Sequence, residues 1–176
     1  HFDLPAGKDV PVEAWEHIPL QLDSPDEIVL DFREEAKKIK SLSINGDNIP
    51  VNLVNEHIII PKKNTKSGGN RIEILFTAGN QSLNRREEFL YTLLVPDRAR
   101  TLFPCFDQPD LKARYTLSLS VPENWTAVSN TCIVEETSGD DGRRTIRFAE
   151  TEPLSTYLFS FVAGVFERSF AERDGR

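Results

Sequence analysis

The chain has 176 residues, 39% of them hydrophobic, and 21 Lys+Arg stand against 28 Asp+Glu for a formal net charge of −7. That apolar content can bury a core and excludes a disordered chain. The acidic balance argues against a nucleic-acid binder, whose affinity comes largely from Lys and Arg on phosphates. No run approaches the roughly 18 apolar residues of a membrane-spanning helix. Length alone predicts one domain over 1–176.

Methionine is absent, even from position 1, which is His1. The expectation is therefore a processed chain or a piece of a longer protein. The compartment stays open: a missing Met fits export to a bacterial periplasm or cell surface and fits trimming equally well.

Along the chain the dominant period is two. Val12, Ala14, Ile18, Leu20 and Leu22 share one parity, as do Ile28, Leu30 and Phe32. Arg33–Lys38 carries helical propensity and charge pairs but reads as a solvated turn between strands. Ile72, Ile74, Phe76 and Ala78 alternate with Arg71, Glu73, Leu75 and Thr77, giving a strand with one buried face. Leu83–Leu90 reads as a loop. Tyr115, Leu117, Leu119 and Val121 alternate with polar residues as a half-buried strand. Ile133–Thr137 and Arg144–Ala149 flank Gly139-Asp140-Asp141-Gly142 and predict a hairpin. From Tyr157 to Phe166 both parities are apolar, which predicts a strand covered on both faces. Turns at Asn45-Gly46, Ser67–Asn70, Gly79-Asn80 and Pro122–Asn124 separate the runs. Many short strands with such turns give an all-β chain, an antiparallel sandwich or a large twisted sheet.

Catalytic motifs are sparse. His1, His17 and His57 include no HExxH and no pair at helical spacing, so a metal site built within this chain is not expected. His17 and His57 should face solvent or a strand edge. There is no GxSxG, phosphate loop or CxxC. Asn80-Gln81-Ser82 and Asn124-Trp125-Thr126 match the glycosylation sequon, a short pattern that also arises by chance. Cys105, flanked by Phe103-Pro104 and Phe106, reads as a buried, unreactive thiol, and pairing with Cys132 stays open.

Asp97–Tyr115 is the densest segment. Pro104, Pro109 and many charges exclude a regular helix or a central strand, yet Leu102, Phe103 and Phe106 need burial. Two readings follow. One is a structural loop pinned by its aromatics, with Arg100 and Asp107 as a candidate pair. The other is a loop shaped to face another surface.

Arg100, Phe103, Pro104, Cys105, Phe106, Asp107, Pro109, Lys112, Ala113 and Tyr115 together resemble the signature of the aminopeptidase N-type zinc metallopeptidases. Val121-Pro122, Ala127–Asn130 and Pro153-Leu154-Ser155-Thr156-Tyr157-Leu158 fit the same family in order, followed by the strand from Phe161 to Phe166. Upstream, Leu30-Asp31 and Asn45-Gly46 also fit. The resemblance implies a saddle-like, all-β N-terminal domain, with Arg100, Phe103–Asp107, Pro109, Lys112 and Tyr157 in structural roles. It implies packing on the protein's own catalytic domain and a wall of the cleft that takes a peptide substrate.

The family's catalytic parts are a Gly-Ala-Met-Glu-Asn segment and an HExxH motif with a distant Glu, which holds zinc with the two His. Neither motif is present here, so no residue of this chain is a catalytic candidate and zinc is expected only in the parent's catalytic domain. In that family a Gln, two residues before a Glu, reaches toward the substrate's N-terminal residue shortly upstream of the signature. The matching positions are Leu93 and Val95, both apolar. Two rivals remain: a stand-alone β-sandwich binding module, for which Trp15 and Trp125 would have to form an exposed platform, and the scaffold domain of an inactive peptidase homologue.

Overall fold

The alternation along residues 68–77 becomes the backbone of the largest sheet. The computed structural model describes residues 1–167 and 169. Among them the strands are β1 (Phe2–Asp3), β2 (Glu13–Leu22), β3 (Ile28–Asp31), β4 (Ile39–Ile44), β5 (Asp47–Asn48), β6 (Leu53–Val54), β7 (His57–Ile60) and β8 (Gly68–Thr77). They continue with β9 (Leu83–Arg85), β10 (Phe89–Thr92), β11 (Ser118–Pro122), β12 (Thr126–Ser129), β13 (Ile133–Ser138), β14 (Arg143–Phe148) and β15 (Phe161–Gly164).

The fold is all-β, in three open sheets. Eight strands run in the order β13-β14-β11-β1-β2-β8-β4-β5, four in the order β12-β15-β10-β9, and three in the order β3-β7-β6. Pairing is antiparallel except between β1 and β11, which are parallel, so the large sheet is mixed. β2 and β8 pair over ten residues, from Glu13 opposite Thr77 to Leu22 opposite Gly68. Their inward side chains Ala14, Ile72, Ile74 and Phe76 are buried, while Trp15 and Leu75, directly opposed, stay exposed.

The sheets meet around aromatic rings. Phe2 lies edge-on to Phe76 at 6.4 Å and to Phe103 at 6.3 Å, and 5.2 Å from Phe161. One side chain of β1 therefore touches the large sheet, the dense segment and the four-stranded sheet. Edge-to-face pairs of this kind add about 0.5–1.5 kcal/mol beyond area burial.

The structure departs from the sequence pattern in several places. Leu83–Leu90 is not a loop: β9 and β10 pair there as a hairpin, Leu90 opposite Arg85, with Leu83 and Leu90 buried. The strand expected from Tyr115 starts only at Ser118, because Tyr115 is tied instead to Thr151, whose N–H it receives at 3.0 Å. The stretch from Tyr157 is broken by a 3-10 turn at Thr156–Leu158. Within β15 the Phe161 and Ala163 side is buried, whereas Phe166 beyond it is exposed, so only one face is covered here. Arg33–Lys38 is the solvated turn, closed by Ala36–Lys38 in a 3-10 turn and a Glu34–Lys38 ion pair at 2.9 Å. The 133–148 hairpin is present with a bulge between Ile133 and Glu135. Trp125 is buried and Trp15 exposed, so the two form no common platform. Cys105 is a buried free thiol and Cys132 an exposed one.

Glu16 shares the inward parity of Ala14 and Ile18. Its Oε1 is buried and has no hydrogen-bond partner among the described residues. Burial disfavours the anion and pushes its carboxyl up to about 8, from an ordinary 4.5. The unfolded chain thus releases this proton at lower pH than the folded one. The stability held with Glu16 protonated is complete below about 4.5 and is lost as pH rises through about 8. Glu16→Gln keeps the shape without the proton. Thermal melts should show its advantage over the parent sequence growing from near zero at about pH 5 to a few degrees at about pH 9. A pH-independent difference would contradict the burial.

Candidate functional site

The segment from Phe89 to Tyr115 carries both candidate features, the cleft-wall positions and the signature. β10 alternates strictly: Leu90 and Thr92 point inward and are buried, while Phe89 and Tyr91 point outward. The alternation continues past the strand end. Leu93 is 49% exposed, Leu94 2% and Val95 53%. Leu93 is held in line by its N–H, which donates to the Ser82 carbonyl at 2.9 Å. Both positions singled out by family resemblance thus lie on one outward row with Tyr91.

The chain then turns sharply. The Arg98 N–H donates to Leu94 O at 2.9 Å, and a 3-10 turn follows at Ala99–Thr101. A Cβ on Gly79 would overlap the Thr101 carbonyl, so the β8–β9 connection can pass here only as glycine. The Gly79 N–H donates to Leu102 O at 3.0 Å, and the hydroxyls of Ser82 and Thr101 share a buried hydrogen bond at 2.5 Å.

Asp31, at the end of β3, is the hub that fixes the rest. Its N–H donates to Cys105 O at 2.7 Å, and the Cys105 N–H donates back to Asp31 O at 3.1 Å. Its carboxylate accepts the Asp107 N–H at 3.0 Å and meets His57 Nδ1 at 2.9 Å. Asp107, buried, accepts the Arg100 N–H at 3.1 Å and the Thr156 hydroxyl at 2.7 Å. The Arg100 guanidinium stands 3.9 Å from the Asp107 carboxylate, so the expected pair is made mainly through the Arg100 backbone. Arg100 also reaches Asp97 at 3.4 Å, and its carbonyl accepts the Arg33 N–H at 2.8 Å.

The remaining signature residues sit around this hub. Phe103 is buried edge-on to Phe159 at 5.6 Å, Pro104 and Cys105 are buried, and Phe106 is half-buried. Burial pushes the Cys105 thiol up, with the Asp107 charge adding to the effect, so this sulfur is kept protonated. Pro109 and Lys112 are exposed, but the Pro109 carbonyl accepts the Ser155 hydroxyl at 2.6 Å. Tyr157 is half-buried in the 3-10 turn beside Thr156.

No three His, Cys, Asp or Glu side chains among the described residues come together as a metal site. His17 is exposed beside Arg71 and Glu73, and His57 is engaged with Asp31.

A family model described as the Peptidase M1 N-terminal domain matches residues 24–158. The chain belongs to this family. The M1 N-terminal domain here is 42% identical over 72 residues to human glutamyl aminopeptidase, covering 41% of this chain and 8% of that protein. It is 40% identical over 86 residues to the puromycin-sensitive aminopeptidase of Caenorhabditis elegans, covering 48% and 9%. The chain thus matches about a tenth of the length of these relatives.

Among solved structures it superposes on Legionella pneumophila aminopeptidase A, crystallised with aspartic acid, at a TM-score of 0.81 and 24% identity, covering 96% of this chain and 21% of that one. It superposes on an M1 zinc metallopeptidase of Deinococcus radiodurans at 0.73 and 19% identity, covering 93% and 40%. At these identities the likenesses describe the fold.

In the sequence Leu30-Asp31 stands only as a family position, which does not mark Asp31 as the hub. Thr156 is likewise unmarked as an Asp107 partner. The one signal was an Asp set between the apolar residues Leu30 and Phe32, both buried here; its own side chain is 16% exposed, and a carboxylate so far withdrawn from water needs partners. Asp107→Ala removes the acceptor for one buried and one part-buried donor and should cost about 2–4 kcal/mol of unfolding free energy in chemical denaturation. Asp107→Asn should cost less, since one carbonyl acceptor remains. Equal stability of Asp107→Ala and the parent sequence would contradict the network.

Proposed function

We infer that residues 1–176 form the non-catalytic N-terminal domain of a zinc aminopeptidase, and that the domain packs on the catalytic domain and walls one side of the substrate cleft. The parent would remove N-terminal residues from peptides, with zinc held by residues outside this chain. Family membership supports the reading, and the outward row of Leu93 and Val95 carries its structural part.

In the aminopeptidase N-type pattern the two positions are polar, and the Gln at the first reaches toward the substrate's N-terminal residue. Here both side chains are apolar and exposed, and Leu94 between them is anchored in the core. An apolar wall offers no hydrogen bond to the substrate amine. Such a wall favours apolar first residues, and recognition of the amine is then left to the catalytic domain. One buried hydrogen bond gained or lost is worth about 1–3 kcal/mol.

The test is Leu93→Gln in the full-length enzyme, assayed on peptides with several different N-terminal residues. The expected result is a change in kcat/KM of about fivefold to a hundredfold that differs between apolar and polar first residues. Unchanged kinetics across the series would remove Leu93 from the cleft. A full-length protein free of zinc and of peptidase activity would favour the scaffold reading.

A further inference from the structure

We propose that Ser82 and Thr101, through their buried hydroxyls, are positioning residues for substrate selection: they fix the path of residues 93–98 and so set how Leu93 and Val95 meet the substrate's first side chain. This rests on the reading that Leu93 and Val95 line the cleft of the full-length enzyme.

Residues 93–98 form a short arch, and both its feet stand on the turn at residues 80–82 that leads into β9. At the first foot the Leu93 N–H donates to the Ser82 carbonyl at 2.9 Å. At the second foot the Arg98 carbonyl accepts the Thr101 hydroxyl at 2.8 Å and the Thr101 N–H at 3.1 Å, and lies 3.2 Å from the Ser82 hydroxyl. The Arg98 guanidinium donates to the Gln81 carbonyl at 2.7 Å. Each hydroxyl has one hydrogen to give. Thr101 is the closer of the two to the Arg98 carbonyl and places its hydrogen there. Ser82, 2.5 Å from Thr101 Oγ1, then donates to that oxygen. The result is a directed relay from Ser82 to Thr101 to the Arg98 carbonyl. Ser82 is fully buried and Thr101 nearly so, so water does not compete for these bonds.

Two buried hydroxyls are costly unless bonded, and apolar residues of the same shape would fill the same space. What the hydroxyls add is direction: they hold one orientation of the Arg98 carbonyl, which a methyl group cannot do. The Arg98 N–H in turn closes on Leu94 O, and Leu94 is anchored in the core. A change at the Arg98 foot is therefore passed to Leu93 and Val95, the two side chains left outside on either side of that anchor. Ser82 is also the last residue of the Asn80-Gln81-Ser82 pattern, and the relay gives this serine a role that does not depend on Asn80.

The test uses the full-length enzyme and reads the ratio of kcat/KM for a peptide with leucine first to that for a peptide with alanine first. Thr101→Val keeps the shape without the hydroxyl, and Thr101→Ser keeps the hydroxyl. Thr101→Val should lower the ratio about threefold or more, chiefly through KM, and Thr101→Ser should restore it. Ser82→Ala leaves the Thr101–Arg98 bond and should move the ratio the same way by less; it is read in place of Thr101→Val if that variant does not fold. In a background carrying Leu93→Ala and Val95→Ala, Thr101→Val should move the ratio by less than about twofold. An unchanged ratio in Thr101→Val with only its stability reduced would overturn the proposal, and so would an effect undiminished in the double-alanine background. Leu93→Ala alone separates the two levels: if it shifts the ratio while Thr101→Val does not, the cleft reading stands and the positioning role falls, and if neither shifts it, both fall.

Discussion

Asp31 ties the dense Asp97–Tyr115 segment to the three-stranded sheet. It stands where the three-stranded sheet ends and the dense segment passes, and it takes the Asp107 N–H while its own backbone exchanges two hydrogen bonds with Cys105. Asp107 in turn accepts from Arg100 and Thr156, so two acidic side chains tie together segments from near residues 31, 100, 107 and 156. The segment has two prolines and no regular ladder of its own. Without these acceptors its backbone donors would be buried and unpaired, at about 1–3 kcal/mol each.

The consequence is positional. The preceding residues Leu93–Val95 continue the alternation of β10, held by the Leu93 N–H on the Ser82 carbonyl and the Arg98 N–H on the Leu94 carbonyl. Leu94 is driven into the core, and Leu93 and Val95 are turned out. The signature of this family, in this chain, is thus an anchor. Its buried and part-buried hydrogen bonds fix the backbone that follows the row of Leu93 and Val95.

Much of the fold was legible from period two. The strands around residues 13–22, 28–31, 68–77 and 143–148 follow from alternation, since each has one apolar and one polar face. What escaped had physical causes. The β9 and β10 strands are only three and four residues long and are joined through Arg86, Glu87 and Glu88, so charge masked the hairpin. Tyr157–Phe166 is apolar on both parities, which signals two covered faces, but among the described residues only the Phe161 and Ala163 side is buried. Glu16 sat on the inward parity and drew no attention, because a lone carboxyl among apolar neighbours breaks the pattern that finds strands. Of the candidate site, Leu93 and Val95 were reached through resemblance alone. Composition cannot separate an exposed apolar row from a buried one.

We propose that this fold walls the substrate cleft of a zinc peptidase domain and packs on that domain. The most direct measurement is the coding sequence downstream of Arg176. The account predicts that the reading frame continues into a Gly-Ala-Met-Glu-Asn segment and then an HExxH motif with a distant Glu. A frame that stops, or that continues without those ligands, would contradict it and leave the Leu93–Val95 row to a binding or scaffold role.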